Sequence, residues 1–304
     1  MSGSFATSLL MVRPAGFGYN AENADNTFSQ TDQRDPQTLQ NLALDEFEAL
    51  INGLDALGLD LLILEDLSDS PDAVFPNNWF SHHPDGSLVL YPLKSPLRRG
   101  ELRPELPELL EMAGYPVTRV LDFSALAEQG HFLEGTGSLV LDHGRQRAYV
   151  ALSERSDPAV LKRWAQETGY TPFSFTPINL PGTDGQSHPV YHSNVLLALG
   201  AGFALWCPQA LPDLAEREQL AQALSQDREL IALSLPQVQA FAGNMLQVQT
   251  PQGPCLLMSQ CARLALLPDQ LDRIEHYTAL ADFAIPTIEA IGGGSLRCML
   301  AELW

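Results

Sequence analysis

Short apolar runs alternate with amphipathic stretches along the chain, and this order restricts the possible fold more than any other sequence feature. Short apolar runs bounded by turn residues are typical of strands, whereas apolar residues three and four apart are typical of helices. We predict strands at 9–12, 61–65, 87–90, 138–141, 148–151, 195–198, 203–206, 229–232, 245–249 and 255–258, and helices at 39–53, 103–114, 158–168, 213–224 and 268–276. Two strands and a helix recur at intervals of roughly 60 residues. The sequence therefore predicts a mixed α/β fold and suggests a cyclic array of five such groups.

The overall composition excludes several classes of protein. Apolar residues make up 45% of the chain, which is enough for a sizeable core, and no low-complexity linker divides residues 1–304 into separate domains. The formal net charge of −20 repels nucleic acid and anionic lipid. The longest apolar run, 195–207, contains Gly200 and Gly202 and is too short to span a bilayer. Without a basic signal-peptide region or a regular cysteine pattern, we expect a single-domain cytoplasmic protein with neither nucleic-acid nor membrane partners.

Cys298 is the first candidate for chemistry. It follows three consecutive glycines and lies next to Arg297. Glycine has no Cβ, so the backbone here can bend sharply and pass close to a ligand, and a neighbouring cation favours a thiolate over a thiol. The alternative, a buried cysteine that acts as a small apolar residue, is the one we favour for the remaining cysteines, Cys207, Cys255 and Cys261.

A cysteine nucleophile needs a base within hydrogen-bond reach, and the base needs a group that orients it. Of the seven histidines, His192 differs because it leads into the strand predicted at 195–198, which would hold it rigidly beside a loop surface. Glu134 precedes Gly135 and Gly137, where the backbone can come close to a ligand. For any single histidine, the default interpretation remains a core residue whose hydrogen bonds are satisfied.

Three further polar residues are candidates for binding. Asn77 and Asn78 lie between Phe75 and Trp79, and a pair of carboxamides in an aromatic frame is more than a solvated turn. Arg155 follows a predicted strand and is suited to bidentate capture of a carboxylate, although a surface arginine is the ordinary alternative.

Metal and nucleotide sites have little support. The sequence contains no CxxC, HxH or HExxH spacing, and the adjacent His82 and His83 would point in opposite directions on an extended chain. The glycines at 292–294 are not followed by a lysine, so they are not a phosphate loop. We therefore predict neither a metal nor a cofactor.

Six motifs, taken in chain order, resemble the guanidino-group-modifying enzymes, also called the amidinotransferase or pentein superfamily, and within it the arginine-deiminase-related branch known as citrulline-utilisation hydrolases. The motifs are VRPAGFGYN at 12–20, VFPNNWF at 74–80, LEGTGS at 133–138, YHSNV at 191–195, FAGNML at 241–246 and IPTIEAIGGGSLRCMLAE at 285–302. The superfamily includes arginine deiminase, dimethylarginine dimethylaminohydrolase, succinylarginine dihydrolase and glycine amidinotransferase. The resemblance covers almost the whole chain.

The resemblance implies a five-bladed α/β propeller with pseudo-fivefold symmetry and a buried substrate channel. It implies that Cys298 is the nucleophile, His192 the general acid and base, and Glu134 the group that orients His192. The position that binds the substrate carboxylate falls on Arg155, and the position that contacts the α-amine falls on Asp72. We expect residues 134, 192 and 298 to converge in one buried cleft, with Arg155 at its far end.

One departure from the superfamily pattern bears on the substrate. Arginine deiminases have an aspartate at the place of Asn78, where it faces the cationic guanidinium. A neutral carboxamide suits a ureido oxygen better, because every edge of a guanidinium is a donor. The sequence therefore favours hydrolysis of citrulline to ornithine, ammonia and carbon dioxide, with Asn78 as the donor to the ureido oxygen and Asn77 as a second candidate for that role. Arginine deiminase or dihydrolase chemistry, amidino transfer and a non-enzymatic binding protein remain alternatives, and an oligomer is compatible with all of them.

Overall fold

The computed structural model describes residues 5–23, 25–68, 70–182 and 185–304. Its strands are β1 (Ser8–Arg13), β2 (Asp60–Glu65), β3 (Phe80–His82), β4 (Ser87–Leu90), β5 (Arg119–Asp122), β6 (Val140–Asp142), β7 (Arg147–Ala151), β8 (Thr171–Phe175), β9 (Asn179–Pro181), β10 (Ser187–Pro189), β11 (Leu197–Leu199), β12 (Phe203–Trp206), β13 (Glu229–Ala232), β14 (Leu246–Thr250), β15 (Gly253–Ser259), β16 (Ala279–Phe283) and β17 (Ala301–Leu303). Its α-helices are α1 (Pro36–Ala56), α2 (Leu106–Met112), α3 (Gly135–Ser138), α4 (Pro158–Thr168), α5 (Leu214–Leu224), α6 (Leu235–Gln239), α7 (Gln260–Ala265) and α8 (Pro268–Glu275).

Within these described ranges, five three-stranded sheets share one topology. Their strand orders are β17-β1-β2, β3-β4-β5, β6-β7-β8, β11-β12-β13 and β14-β15-β16. In each sheet the central strand pairs antiparallel with one neighbour and parallel with the other. The parallel neighbour follows a helical connection, as a parallel pair requires. The two ends of the chain share a sheet, because Ser8 of β1 pairs with Leu303 of β17. The predicted mixed α/β class is confirmed.

The longest helix shows why the sequence folds this way locally. Asp35 caps α1 by accepting a hydrogen bond from the Thr38 N–H, and Pro36 occupies the first helical position, where its missing N–H costs nothing. The apolar side chains of α1 recur at helical spacing and are buried. Phe47 of α1, Leu9 of β1 and Leu257 of β15 belong to one apolar cluster, which also contains Cys298. The nucleophile candidate therefore lies in the interior.

Two predicted strands begin later than expected, because a short helical turn precedes each of them. The prediction at 138–141 covers the end of α3 before β6, and the prediction at 195–198 covers a 3₁₀ turn, Ser193–Val195, before β11. A buried side chain stabilises the second turn: Ser193 Oγ accepts from the Ala151 N–H at 2.7 Å and donates to the Ser138 carbonyl at 2.6 Å. His192 thus leads into a turn rather than directly into a strand.

These turns recur before the first strand of several sheets. A polar residue lies at or next to each of them, namely Asn78, Ser138, Asn194, Asn244 and Cys298. All five are buried. In the described part of the chain, no helix combines the length and the apolar character needed to cross a membrane.

Candidate functional site

A small cavity brings together residues that are far apart in the sequence. Its lining consists of Asn23, Asn26, Asp72, Phe75, Asn78, Arg98, Arg155, Tyr191, His192, Gly292, Gly294 and Cys298. Five of the residues predicted from the sequence are among them: Asp72, Asn78, Arg155, His192 and Cys298. Glu134 contacts His192 from behind, and Asn77 supports Asn78. The structure thus gathers all seven predicted residues around one site.

His192 and Glu134 form a buried hydrogen-bonded pair. His192 Nε2 lies 2.9 Å from Glu134 Oε2, and both side chains are almost completely excluded from solvent. Burial alone would raise the pKa of Glu134, but the charge of Arg155 and the hydrogen bond from His192 outweigh it and hold that pKa well below its usual range. Glu134 is therefore ionised and accepts the Nε2 proton. This leaves the lone pair on Nδ1 as the reactive site of the imidazole.

Burial lowers the pKa of His192, although its bond to Glu134 acts in the opposite direction. The imidazole is accordingly neutral near pH 7 and can accept a proton. Once protonated, it would be stabilised by the ionised Glu134. The pair is therefore suited to take a proton from one group and to deliver it to another.

Gly137 explains how Asn78 and His192 come to face each other. A Cβ atom at this position would lie 2.6 Å from Asn78 Nδ2 and 2.7 Å from His192 Nδ1. No side chain fits there, because such distances are far inside van der Waals contact. Because glycine has only a hydrogen atom in place of Cβ, the Asn78 amide and the His192 imidazole can both pack directly against position 137.

Two asparagines surround the sulfur of Cys298. Asn194 Nδ2 and Asn244 Nδ2 each lie 3.4 Å from Sγ. The orientation of the Asn244 amide is fixed, because its Oδ1 accepts from the Arg297 N–H at 3.0 Å and its Nδ2 donates to the Asn194 carbonyl at 3.1 Å. Asn244 Oδ1 lies 3.8 Å from Sγ and can accept from the thiol. The amides of Asn194 and Asn244 thus hold the sulfur in place.

Two expectations about the cysteines need correction, whereas the one about the glycines agrees with the structure. The guanidinium of Arg297 donates to Glu302 at 2.8 Å and to the Leu300 carbonyl at 2.7 Å, so asparagine amides, and not this cation, contact the sulfur. Gly292 and Gly294 line the cavity, and a Cβ at position 292 would lie 2.8 Å from the ring of Phe75. Cys261 is exposed rather than buried, because it lies at the start of α7 with its side chain in solvent.

The orientation of Asn78 is set by Arg98, a residue that the sequence motifs did not single out. Arg98 Nη1 lies 2.7 Å from Asn78 Oδ1. A guanidinium has donors only, so the amide atom that faces it must be the carbonyl oxygen. The NH2 group therefore points the other way, and one of its N–H groups donates to Asn77 Oδ1 at 3.0 Å. Asn78 lines the cavity, so its second N–H is the candidate donor to a ligand there.

Arg98 is itself held firmly. One edge of its guanidinium binds Glu101, with Nε–Oε1 and Nη2–Oε2 distances of 2.8 Å, and Nη2 also donates to the Phe75 carbonyl at 3.0 Å. Both charged groups are buried. A sequence signal was available, because Arg98 and Glu101 have the i, i+3 spacing of an ion pair within one helical turn.

Arg155 does not lie at the far end of the cleft from the His192–Glu134 pair. Its Nη1 is 3.3 Å from Glu134 Oε2, and its Nη2 is 2.9 Å from Asp25 Oδ1. Asp72 Oδ2 accepts from Asn20 Nδ2 at 2.8 Å and from Asn23 Nδ2 at 2.7 Å. Burial raises the pKa of Asp72. Both predicted binding residues are therefore already in contact with side chains that precede α1, namely those of Asn20, Asn23 and Asp25.

No group of three or more histidine, cysteine, aspartate or glutamate side chains with metal-binding geometry occurs among the residues that the structure describes. The site offers a thiol, an imidazole–carboxylate pair and several fixed amide donors. This set is suited to covalent attack on a planar carbon that bears nitrogen substituents.

Comparison with known proteins agrees with this chemistry. The family described as N,N dimethylarginine dimethylhydrolase, eukaryotic, matches residues 13–304. No curated protein matches the sequence. Among solved structures, the cyanobacterial arginine dihydrolase ArgZ superimposes with a TM-score of 0.76 at 16% identity, covering 97% of this chain and 40% of that one. The present chain thus spans about 40% of the length of ArgZ.

Two further structures match over nearly their entire length. The N-terminal domain of ArgZ, bound to substrate, has a TM-score of 0.74 at 16% identity, with 97% of each chain covered. A variant of dimethylarginine dimethylaminohydrolase, solved as an adduct with S-methyl-L-thiocitrulline, has a TM-score of 0.63 at 16% identity and covers 98% of this chain and 99% of that one. At 16% sequence identity, these structural similarities show that the proteins share a fold.

Proposed function

The chain belongs to the N,N-dimethylarginine dimethylhydrolase family of the amidinotransferase superfamily, whose members include hydrolases of carbon–nitrogen bonds, and we propose that it hydrolyses the ureido group of L-citrulline. One water is consumed, and the products are ornithine, ammonia and carbon dioxide. The observation that carries this choice is the orientation of Asn78. Its NH2 group, turned away from Arg98, can donate to a ureido oxygen, whereas a guanidinium offers no acceptor.

The amide that faces the cavity at position 78 supports the same choice. The charge of Arg98 is compensated by Glu101, so Arg98 acts by turning the Asn78 amide, 2.7 Å away. A cationic substrate group next to Asn78 would therefore meet an N–H donor where a deiminase offers a carboxylate. A neutral ureide has no such disadvantage.

The first half of the reaction forms a covalent intermediate. His192 Nδ1 accepts the proton of Cys298, and the thiolate attacks the ureido carbon while Asn78 donates to the oxygen that becomes negative. The imidazolium, stabilised by Glu134, then protonates the leaving nitrogen as its bond to carbon breaks. A fixed donor at the developing oxyanion typically contributes several kcal/mol to lowering the barrier.

The second half releases the products and restores the thiol. Neutral His192 removes a proton from water, the resulting hydroxide attacks the thiocarbamate carbon, the carbon–sulfur bond breaks, and the imidazolium returns its proton to the sulfur. Ammonia has left in the first half, so the group released here is the N-carboxylate of ornithine, which loses carbon dioxide to give ornithine. The thiol supplies the covalent chemistry, so we propose that no cofactor is needed.

We assign the α-carboxylate of the substrate to Arg155 and its α-ammonium group to Asp72, as the family resemblance implies. The five sheets would form a closed propeller around this site. Contacts between the first strands of neighbouring sheets, namely β17 with β3, β6 with β11 and β11 with β14, support that arrangement. All four cysteines are free thiols, which fits a cytoplasmic location.

Arginine is the second candidate substrate, because ArgZ is described as an arginine dihydrolase. In that case citrulline would be an intermediate that the same site hydrolyses again. The experiment is to incubate the purified protein with citrulline and, separately, with arginine, and to measure ornithine, citrulline and ammonia over time. We expect ornithine and ammonia from citrulline at a higher kcat/KM than from arginine. Citrulline accumulating from arginine without further turnover would contradict the proposal.

A further inference from the structure

A second cavity, of about 180 Å³, is lined by residues that do not line the candidate site. Its walls come from the loop after β2, from Trp79 and from the stretch that leads into α2. Leu67, which is 75% exposed, belongs to the lining, so the cavity is open to solvent. A cavity of about 150 Å³ is large enough for benzene, so this one has room for a small organic molecule.

Two residues of this lining have a polar atom without a partner. Trp79 is only 1% exposed, and its indole N–H has no hydrogen-bond partner among the residues that the structure describes. Asp66 Oδ2 also lacks one, whereas Oδ1 accepts from the Ser68 N–H at 2.8 Å and from the Ser68 hydroxyl at 2.6 Å. A buried polar group without a partner is costly, so such groups usually bind water or a ligand.

The charged residues of the cavity match a zwitterion. Glu101 is neutralised, because both of its oxygens accept from Arg98 at 2.8 Å. The lining then contains the carboxylates of Asp66 and Glu105 and the guanidinium of Arg103. An ammonium group has donors only and suits Asp66, whereas a carboxylate has acceptors only and suits Arg103 and an indole N–H. The remaining side chains are largely apolar, namely those of Val12, Leu67, Ala73 and Leu102.

We propose that this cavity, here called the effector cavity, binds a small aliphatic α-amino acid. The ammonium group of the amino acid donates to Asp66, and its carboxylate accepts from the Trp79 N–H and from Arg103. Its aliphatic side chain packs against the apolar lining. The effector cavity is separate from Arg155 and Asp72, to which we assign the amino-acid end of the substrate.

The effector cavity and the candidate site have a common wall. Three short stretches of chain each supply both, with Asp72, Asn78 and Arg98 lining the candidate site and Ala73, Trp79 and Glu101 lining the effector cavity. Glu101 binds Arg98, which orients Asn78, and Ser70 Oγ donates to Glu101 Oε1 at 2.5 Å. An amino acid in the effector cavity therefore also orders the wall of the candidate site, so a ligand there binds at a lower entropic cost.

The direct test is calorimetric titration of the wild-type protein with L-valine, whose size matches the cavity. Saturating ornithine is present to keep L-valine out of the candidate site. We expect a dissociation constant of about 1 mM or lower, within the range for so small a ligand. Isobutylamine lacks the carboxylate and isovalerate lacks the ammonium group, so each should bind at least about tenfold more weakly. Absence of L-valine binding, or equal binding of either analogue, would overturn the proposal.

Substitutions locate the binding site. Asp66→Asn keeps the oxygen that accepts from Ser68 but removes the charge, and Arg103→Gln removes the cation, so each should weaken L-valine binding by about tenfold. Asp60→Asn is the matched control, because this exposed residue at the start of β2 lies outside the cavity. Without L-valine, all three variants should hydrolyse citrulline as the wild type does. If Asp66→Asn and Arg103→Gln bind L-valine as tightly as the wild type, the proposed site is wrong.

The coupling between the two cavities is tested with ornithine, and this part rests on the proposed function. We expect L-valine to tighten ornithine binding about fivefold and ornithine to tighten L-valine binding by the same factor, since coupling is reciprocal. Unchanged affinities would remove the coupling alone. Displacement of L-valine by ornithine would place L-valine in the candidate site and overturn the proposal. If L-valine binds but citrulline is not hydrolysed, the proposed function fails and the effector cavity stands.

Discussion

Asn244 and Asn78 are two asparagines of the site whose amides are oriented by different kinds of partner. The oxygen of Asn244 accepts from a backbone N–H, that of Arg297, and its NH2 group faces the sulfur of Cys298. The oxygen of Asn78 accepts from the side chain of Arg98, and its NH2 group lies beside Gly137 and His192. One residue type thus faces the sulfur in one place and, under the proposed function, donates to the substrate oxygen in the other. The partner of the oxygen decides where the donor points.

The two amides also differ in how easily a nearby mutation can change their orientation. A backbone N–H is present whatever residue other than proline occupies position 297, so the Asn244 amide keeps its orientation through most substitutions nearby. The Asn78 amide depends on the buried Arg98–Glu101 pair. Breaking such a pair leaves an uncompensated buried charge, which is strongly destabilising. The substrate side of the site is therefore the more vulnerable one.

The largest expected effect is at the sulfur itself. Cys298→Ala should reduce citrulline turnover by more than about a thousandfold, because the covalent step is lost. The thermal unfolding midpoint should change little. Cys207→Ala, at another buried cysteine, is the matched control and should retain activity. Turnover by Cys298→Ala within about tenfold of the wild type would exclude covalent catalysis by this residue.

Next in size is Asn78→Asp, which tests the substrate side. It removes a donor and places a negative charge beside an oxygen that itself becomes negative, so kcat/KM for citrulline should fall on the order of a hundredfold. Arginine should lose less or gain, because its guanidinium acquires a charged partner. The decisive quantity is the ratio of kcat/KM for citrulline to that for arginine.

Asn78→Leu is the matched comparison, since it removes the donor without adding charge. It should slow citrulline without improving arginine. If Asn78→Asp leaves the ratio of the two substrates unchanged, Asn78 supports the structure only, and the ureide preference has another origin.

Asn244→Asp should have a smaller effect on the nucleophile side. A carboxylate next to Sγ replaces an N–H donor and disfavours the thiolate, so we expect iodoacetamide to label Cys298 about tenfold more slowly. The exposed Cys261 provides an internal control within the same sample, because its labelling rate should not change. Unchanged labelling of Cys298 would mean that the Asn244 amide does not stabilise the thiolate.

The smallest effect concerns stability as a function of pH. Burial lowers the pKa of His192 below its ordinary value of 6.5, so the unfolded chain binds more protons than the folded one in acid. The contribution of His192 to the free energy of unfolding is fully present above pH 6.5. It is lost as the pH falls below 6.5, by at most about 1.4 kcal/mol per pH unit. The depressed pKa of Glu134 acts in the same direction below its ordinary value of 4.5.

His192→Gln removes this contribution, and the dependence of the free energy of unfolding on pH between about 7 and 5.5 should become shallower. Urea titrations at several pH values measure it. His276→Gln, at an exposed histidine of the last turn beyond α8, is the control. An identical slope for His192→Gln and the wild type would show that His192 is equally protonated in both states.

Local patterns predicted much of the architecture. The class, most of the helices and the central strands of the sheets follow from apolar periodicity, which acts over a few residues. The errors at 138–141 and 195–198 have a common cause: each apolar run begins in a turn that buried polar groups from another sheet stabilise. Strands such as β5 and β16 were missed because they are partly exposed and less apolar.

The sequence by itself determined which reactive groups are available: one cysteine behind a glycine run, His192, Glu134 and a neutral Asn78 in place of an acid. Only the tertiary structure decided their state and direction. The amides of Asn78 and Asn244 are turned by partners 20 and 53 positions away along the chain. Arg155 meets Asp25 across 130 positions. Hydrogen bonds and ion pairs of this kind depend on distances of a few ångströms between segments that no local pattern relates.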